Sequence, residues 1–331
     1  MSLRRAGVLS GLAGLLALAG CGGGGDGATP VPAPSAPASA ATASPSAATA
    51  PASPPAVRPY TALGDSYTSG LQIPPQQGTP RGCARSGVNY PSLVAARLGL
   101  SGPDFRDVSC SGARTRDLTA PQQTAGGANP PQLEAVSDAT RLVTLGIGGN
   151  DVGFMDVLGR CAMESVKRSV AAALTEQPGA EAPCREYYTT GGGADEVGRA
   201  IEATGPKVVE AVREIRRRAP QARVLLVGYP ALLPADPAAC EATLGSGVAP
   251  GDLAFLAEKQ RQLDAMLRRS AEQAGGVFVD TSTPSAGHDM CAGEDRRWVE
   301  PPLPAPGLAS LHPNARGEQG MAAAVLAAAT P

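Results

Sequence analysis

Two apolar patterns alternate along this chain after residue 57. Short apolar-rich stretches, Arg58 to Gly64, Phe105 to Val108, Arg141 to Ile147, Arg223 to Val227 and Val277 to Asp280, read as strands. The third is apolar enough to be buried on both faces, as parallel strands are. Between them apolar positions recur near helical period. Leu93, Val94 and Leu98 share one face of Tyr90 to Leu98, and Val197, Ile201, Val208, Val209, Val212 and Ile215 share a face of Glu196 to Arg218. Gly205-Pro206 is expected to break or kink that second helix, because proline lacks the N–H and crowds the preceding turn. Leu253 to Ala274 reads as the longest clean amphipathic helix, and an Ala-rich helix, Ala315 to Ala329, closes the chain. Strands separated by helices predict a parallel sheet covered on both sides, and no repeat or second hydrophobic break calls for another domain. The expectation is one α/β domain over residues 58–331, a three-layer α/β/α sandwich around a mostly parallel five-stranded sheet. Its connections at 71–89, 153–195, 229–251 and 281–311 are expected to be long.

The first 57 residues read differently. Arg4 and Arg5 precede the apolar run Val8 to Ala19, which ends in Leu18-Ala19-Gly20-Cys21, the layout of an export signal over residues 1–20. Those last four residues also resemble the lipobox of bacterial lipoproteins, which implies a diacylglyceryl group on Cys21. Residues 21–57 are a Gly, Pro, Ala, Ser and Thr mixture that cannot bury apolar area, and they are expected to form an extended tether. The expected location is outside the cell, at the membrane face through the lipid or released.

Composition narrows the partners. Lys and Arg number 28 against 30 Asp and Glu, for a net charge of −2, and no cationic stripe follows a phosphate backbone, so nucleic acid is not an expected partner. A monomer is expected. Besides Cys21 there are six cysteines, Cys83, Cys110, Cys161, Cys184, Cys240 and Cys291, an even set without a C-x-x-C pair. Export favours disulfides over a zinc cage. Sequence does not fix the connectivity; pairing in order, Cys83–Cys110, Cys161–Cys184 and Cys240–Cys291, closes one excursion each and is the working assignment.

In a parallel sheet, ligands sit beyond the carboxyl ends of the strands. Three polar or glycine-containing segments follow strands there: Gly64-Asp65-Ser66-Tyr67-Thr68-Ser69-Gly70, Ser109-Cys110-Ser111-Gly112-Ala113 and Gly146-Ile147-Gly148-Gly149-Asn150-Asp151. A fourth, His312-Pro313-Asn314, precedes the last helix. These four, in this order and over nearly all of residues 58–331, resemble the motifs of the SGNH hydrolases, also called GDSL esterases and lipases.

The chemistry of the residues points the same way. A serine hydroxyl needs a neighbouring base to become a nucleophile, and the chain has two imidazoles, His288 and His312. Ser66 is the first candidate nucleophile. Pro313 stiffens the backbone beside His312, whereas His288 lies in a loop beside Cys291. The resemblance carries the base onto His312 alone, and the oxyanion donors onto the backbone N–H groups of Ser66 and Gly112 and the side-chain amide of Asn150. Glycine at 112 permits close approach, and Asn150 donates while neutral. In the family pattern Asp65 and Asp151 support their loops.

One departure matters. Many family members carry Asp three residues before the histidine, and here that residue is Ala309. A backbone carbonyl can accept the Nδ1 hydrogen in its place, and some secreted bacterial members use one. The expectation is a Ser66–His312 dyad oriented by the main-chain oxygen of Ala309 or Ser310. Such a dyad would hydrolyse an acyl ester through an acyl-enzyme, needing no metal or organic cofactor. Leu71, Ile73, Phe154, Met155 and Leu158 are candidate linings of an acyl slot, or else pack beneath the loops. Lipidic or simple acyl esters are the favoured substrates; the alternatives are a carbohydrate O-deacetylase and a surface lipoprotein that only binds.

Overall fold

The computed structural model of the protein describes residues 57–175, 181–189, 194–244 and 248–330. The export signal, Cys21 and the tether through residue 56 lie outside the described residues. Among the described residues no helix is long and apolar enough to cross a membrane.

The chain begins with β1 (Tyr60–Gly64), α1 (Ser66–Ser69), the short pair β2 (Gln76–Gln77) and β3 (Arg85–Ser86), α2 (Tyr90–Arg97) and β4 (Phe105–Asp107). A second small hairpin, β5 (Gln122–Thr124) and β6 (Gly127–Asn129), precedes β7 (Leu142–Gly146) and α3 (Gly149–Val152). Three helices follow, α4 (Phe154–Thr175), α5 (Pro183–Thr189) and α6 (Glu196–Arg218). The chain ends with β8 (Arg223–Val227), α7 (Glu241–Leu244), α8 (Pro250–Ala274), β9 (Val277–Val279) and α9 (Ala315–Ala329).

Five strands form one parallel sheet in the order β4-β1-β7-β8-β9, as the alternating pattern predicted. Every residue of β1 and β7 is buried, because helices cover both faces. Tyr90, Val94, Met321 and Val325 of α2 and α9 pack on one face. Val208, Val212, Leu263 and Leu267 of α6 and α8 pack on the other.

Two sequence expectations need correction. The stretch 153–195 is not an open connection: α4 and α5 occupy most of it, joined by the Cys161–Cys184 disulfide. Nor does Pro206 end the helix it lies in, since α6 runs unbroken from its Asp195 cap to Arg218. Valines 208, 209 and 212 are all buried beyond it, and burial of both halves offsets the lost backbone hydrogen bond. The other two disulfides join Cys83 to Cys110 and Cys240 to Cys291.

The register positions the site. Gly64 pairs with Gly146, so β1 and β7 end level with each other. The Cys110 N–H donates to the Gly64 carbonyl at 2.9 Å, which brings the segment after β4 to the same edge. Because β4, β1 and β7 are neighbours, the three motif-bearing turns emerge side by side.

Candidate active site

Asp65 caps α1, its Oδ1 accepting the Tyr67 N–H at 3.0 Å, and this turn presents Ser66 at the sheet edge. His312 arrives from the far end of the chain. Its loop is held in an antiparallel clasp: the Glu300 N–H donates to the His312 carbonyl at 3.0 Å and the Leu311 N–H to the Glu300 carbonyl at 3.1 Å. Asn314 caps α9 and donates through Nδ2 to Glu300 Oε1 at 2.8 Å, so the segment after the histidine is fixed as well.

The clasp places His312 Nε2 at 2.8 Å from Ser66 Oγ. Its Nδ1 lies 2.7 Å from the main-chain oxygen of Ser310. A carbonyl can only accept, so Nδ1 carries the hydrogen and Nε2 is left to accept from the serine hydroxyl. Leu311 adopts φ 61°, a left-handed conformation rare for leucine, and this reversal folds the Ser310 carbonyl back toward the ring two residues on. The Ala309 carbonyl, the other orienting group considered, accepts the His312 backbone N–H at 3.3 Å and does not meet the ring. Among the described residues no carboxylate is hydrogen-bonded to His312. Burial holds the imidazole below its usual pKa, an effect partly opposed by the Ser310 carbonyl.

Asn150, at the head of α3, donates through Nδ2 to the Ala113 carbonyl at 3.0 Å, leaving its second amide hydrogen for the cleft it lines with Ser66. Gly112 has φ 78°, a conformation that glycine adopts without strain. Among the described residues the backbone N–H groups of Ser66 and Gly112 donate to no protein acceptor. The Cys83–Cys110 disulfide and the Ser111 N–H bond to the Cys83 carbonyl at 3.0 Å pin the Gly112 turn. Asp151 accepts the Thr115 N–H at 2.9 Å, tying that turn to the one bearing Asn150, and among the described residues it is not hydrogen-bonded to His312.

The cleft beside Ser66 is narrow, about 30 Å³, and has an apolar wall of Phe154, Met155, Leu232 and Leu263. Of the residues weighed as linings of an acyl slot, Phe154 and Met155 line this cleft and also pack against the core. Leu158 packs in the core without lining the cleft, and Leu71 and Ile73 do not line it either. His288 is remote in role: its Nδ1 meets the Arg296 carbonyl at 2.6 Å and its ring stacks on Trp298. Cys240, Cys291 and Asp289 lie together, but the two sulfurs are bonded to each other and offer a metal no thiolate.

Three contacts of the site were not foreseen from sequence. The Tyr67 hydroxyl donates to the Leu311 carbonyl, Glu300 clasps the histidine loop, and the Tyr229 hydroxyl lies 2.7 Å from Asp65 Oδ2. Tyr229 follows the carboxyl end of a strand, β8, which marks its position but not its partners.

The sequence profile of the GDSL-like lipase/acylhydrolase family matches residues 62–319. Lipase 2 of Streptomyces coelicolor is 39% identical over 281 residues, covering 83% of this chain and 88% of that protein. Phospholipase A1 from Streptomyces albidoflavus NA297 superposes with TM-score 0.63 at 25% identity, over 83% of this chain and all (100%) of that one. The extracellular lipase from Streptomyces rimosus does so with TM-score 0.63 at 29% identity, over 82% and 99%. With the profile spanning the sheet, the strand-end turns and the histidine loop, this chain belongs to the GDSL-like lipase/acylhydrolase family and is a carboxylic ester hydrolase.

Proposed function

We propose that this enzyme is an exported acyl-ester hydrolase that works through a Ser66–His312 dyad with no carboxylate partner. Ser66 Oγ attacks the acyl carbon while His312 Nε2 takes its proton and passes it to the departing alcohol. Water, deprotonated by the same imidazole, then releases the acid from the acyl-enzyme. The oxyanion of each tetrahedral species is bound by the Ser66 and Gly112 N–H groups and by Asn150 Nδ2. The Ser310 carbonyl holds the tautomer and stabilises the imidazolium.

The observation that carries this reading is the buried relay itself: 2.8 Å from Ser66 Oγ to Nε2 and 2.7 Å from Nδ1 to the Ser310 carbonyl. The apolar wall at Phe154, Met155, Leu232 and Leu263 favours lipidic or simple acyl esters over acetylated carbohydrate. Hydrolysis of p-nitrophenyl butyrate tests it: Ser66→Ala and His312→Ala each lose at least about 10⁴-fold in kcat. Full activity in Ser66→Ala removes the proposal.

Export and anchoring belong to the same reading, supported by the signal-like residues 1–20, the lipobox-like Leu18-Ala19-Gly20-Cys21 and the three disulfides. Expressed in a lipoprotein-processing bacterium, the protein partitions with membranes and Cys21→Ser releases it. Equal partitioning of the two contradicts the anchor.

A further inference from the structure

Tyr229 belongs to none of the four motifs, yet its hydroxyl spans two of them. It lies 2.7 Å from Asp65 Oδ2 and 2.9 Å from the Gly149 nitrogen. While Asp65 is ionised, the direction of both bonds is fixed. Burial and the Asp65 charge keep this phenol protonated far above its usual pKa, and a backbone N–H can only donate. The hydroxyl therefore donates to Asp65 and accepts from Gly149. One oxygen joins the residue before Ser66 to the residue before Asn150.

The surroundings are built around that bridge. A Cβ on Gly149 would lie 3.1 Å from the Tyr229 oxygen and 3.2 Å from its Cζ, so the missing side chain there is what admits the phenol. The Tyr229 backbone is held in turn by Asp264, whose Oδ1 accepts its N–H at 3.3 Å. Tyr67 packs edge-on against the Tyr229 ring with centroids 5.0 Å apart, and its own ring lies 4.9 Å from that of His312.

We infer that Tyr229 is a positioning residue for ester hydrolysis: its hydroxyl sets the separation of the Ser66 and Asn150 turns so that both donate to one oxyanion. This rests on the roles proposed above for Ser66 and Asn150. The oxyanion exists only in the tetrahedral species, so loosening the bridge raises the chemical barrier and leaves substrate binding nearly as it was. A displacement of about 1 Å in such a constellation costs up to roughly 100-fold.

The test compares wild type, Ser66→Ala, Tyr229→Phe, Asp65→Asn and the Tyr229→Phe/Asp65→Asn double variant on p-nitrophenyl butyrate, with thermal unfolding in parallel. Tyr229→Phe is expected to lose roughly 10- to 100-fold in kcat, with KM within about twofold of wild type and a cooperative melt. Asp65→Asn shows the same split. The double variant loses little more than the larger single loss, since both changes break one bridge. A folded Tyr229→Phe whose kcat stays within about twofold of wild type, or whose KM rises as far as kcat falls, overturns the inference. Should Tyr229→Phe not fold, the same criteria applied to Asp65→Asn decide it. Activity surviving in Ser66→Ala is a separate result, which removes the nucleophile assignment instead.

Discussion

The Tyr67 hydroxyl donates to the main-chain oxygen of Leu311 at 2.5 Å, so the residue after Ser66 grips the residue before His312 across 244 positions of sequence. Leu311 is also the residue with φ 61°, and its reversal aims the Ser310 carbonyl at the imidazole. One bond thus bears on both the approach of the imidazole to Ser66 and the tautomer the ring carries.

Tyr67→Phe keeps the ring contacts to His312 and Tyr229 and removes only that bond. The Leu311 carbonyl is left unpaired in a buried setting, which costs on the order of 1–3 kcal/mol. Steady-state kinetics are expected to show kcat/KM lower by roughly tenfold, where 1.4 kcal/mol corresponds to a factor of ten. An unchanged kcat/KM would mean that the loop is held by the Glu300 clasp alone.

Activity is expected to fall in two steps on acidification. Burial pushes the Asp65 carboxyl up to about 7, against the opposing bonds from the Tyr229 hydroxyl and the Tyr67 N–H and with Asp151 adding to the rise. As pH drops through that value, a proton on Asp65 competes for the Tyr229 bridge and part of the rate is lost. His312, held below its usual value by burial, takes a proton only at lower pH, and the remainder is then lost. A kcat/KM profile of Asp65→Asn keeps the lower step and lacks the upper one. Identical profiles for the two proteins contradict the link.

Asp264 predicts a stability effect of opposite sign to that of a salt-bridged carboxylate. Burial raises it to about 7, the nearby Asp280 adds to the rise, and the Tyr229 N–H and Arg268 oppose it. Its folded pKa lies above the unfolded value of about 4, so the folded state holds a proton that the unfolded state has lost between those values. Its contribution is fully present below about pH 4 and declines as pH rises toward 7. Asp264→Asn should therefore gain in melting temperature relative to wild type across that window and level off above it. A difference that does not change with pH refutes the assignment.

Met155 is half-buried in the cleft wall at the start of α4. Met155→Trp fills that space, so the ratio of octanoate to acetate p-nitrophenyl ester hydrolysis is expected to fall by roughly tenfold or more, the acetate rate changing little. A ratio equal to that of wild type places the acyl chain elsewhere.

The strands were legible because each is a short apolar stretch ending at glycine or a polar turn, and the structure places their ends within a residue or two of those read from sequence. Ser66 and His312, which the structure brings within 2.8 Å of each other, were legible as candidates because a Ser in a strand-end turn and a His before the last helix match the motif pattern. The helix α4 was hidden by its own composition. Phe154, Val157, Leu158 and Cys161 face inward while Met163, Val166, Val170 and Leu174 face solvent, so no single apolar stripe marks a period. Tyr229 was hidden for another reason. It acts through one hydroxyl upon residues 164 and 80 positions away, and no local pattern encodes such a bond.

Covalent labelling with a fluorophosphonate, read by peptide mass spectrometry, tests the Ser66–His312 relay most directly. Wild type should carry one adduct, on the peptide containing Ser66, with stoichiometric loss of esterase activity. His312→Ala should react far more slowly, while Asp151→Asn should label at nearly the wild-type rate. An adduct on any other residue accompanying the loss of activity, or a labelling rate in His312→Ala equal to that of wild type, contradicts the relay.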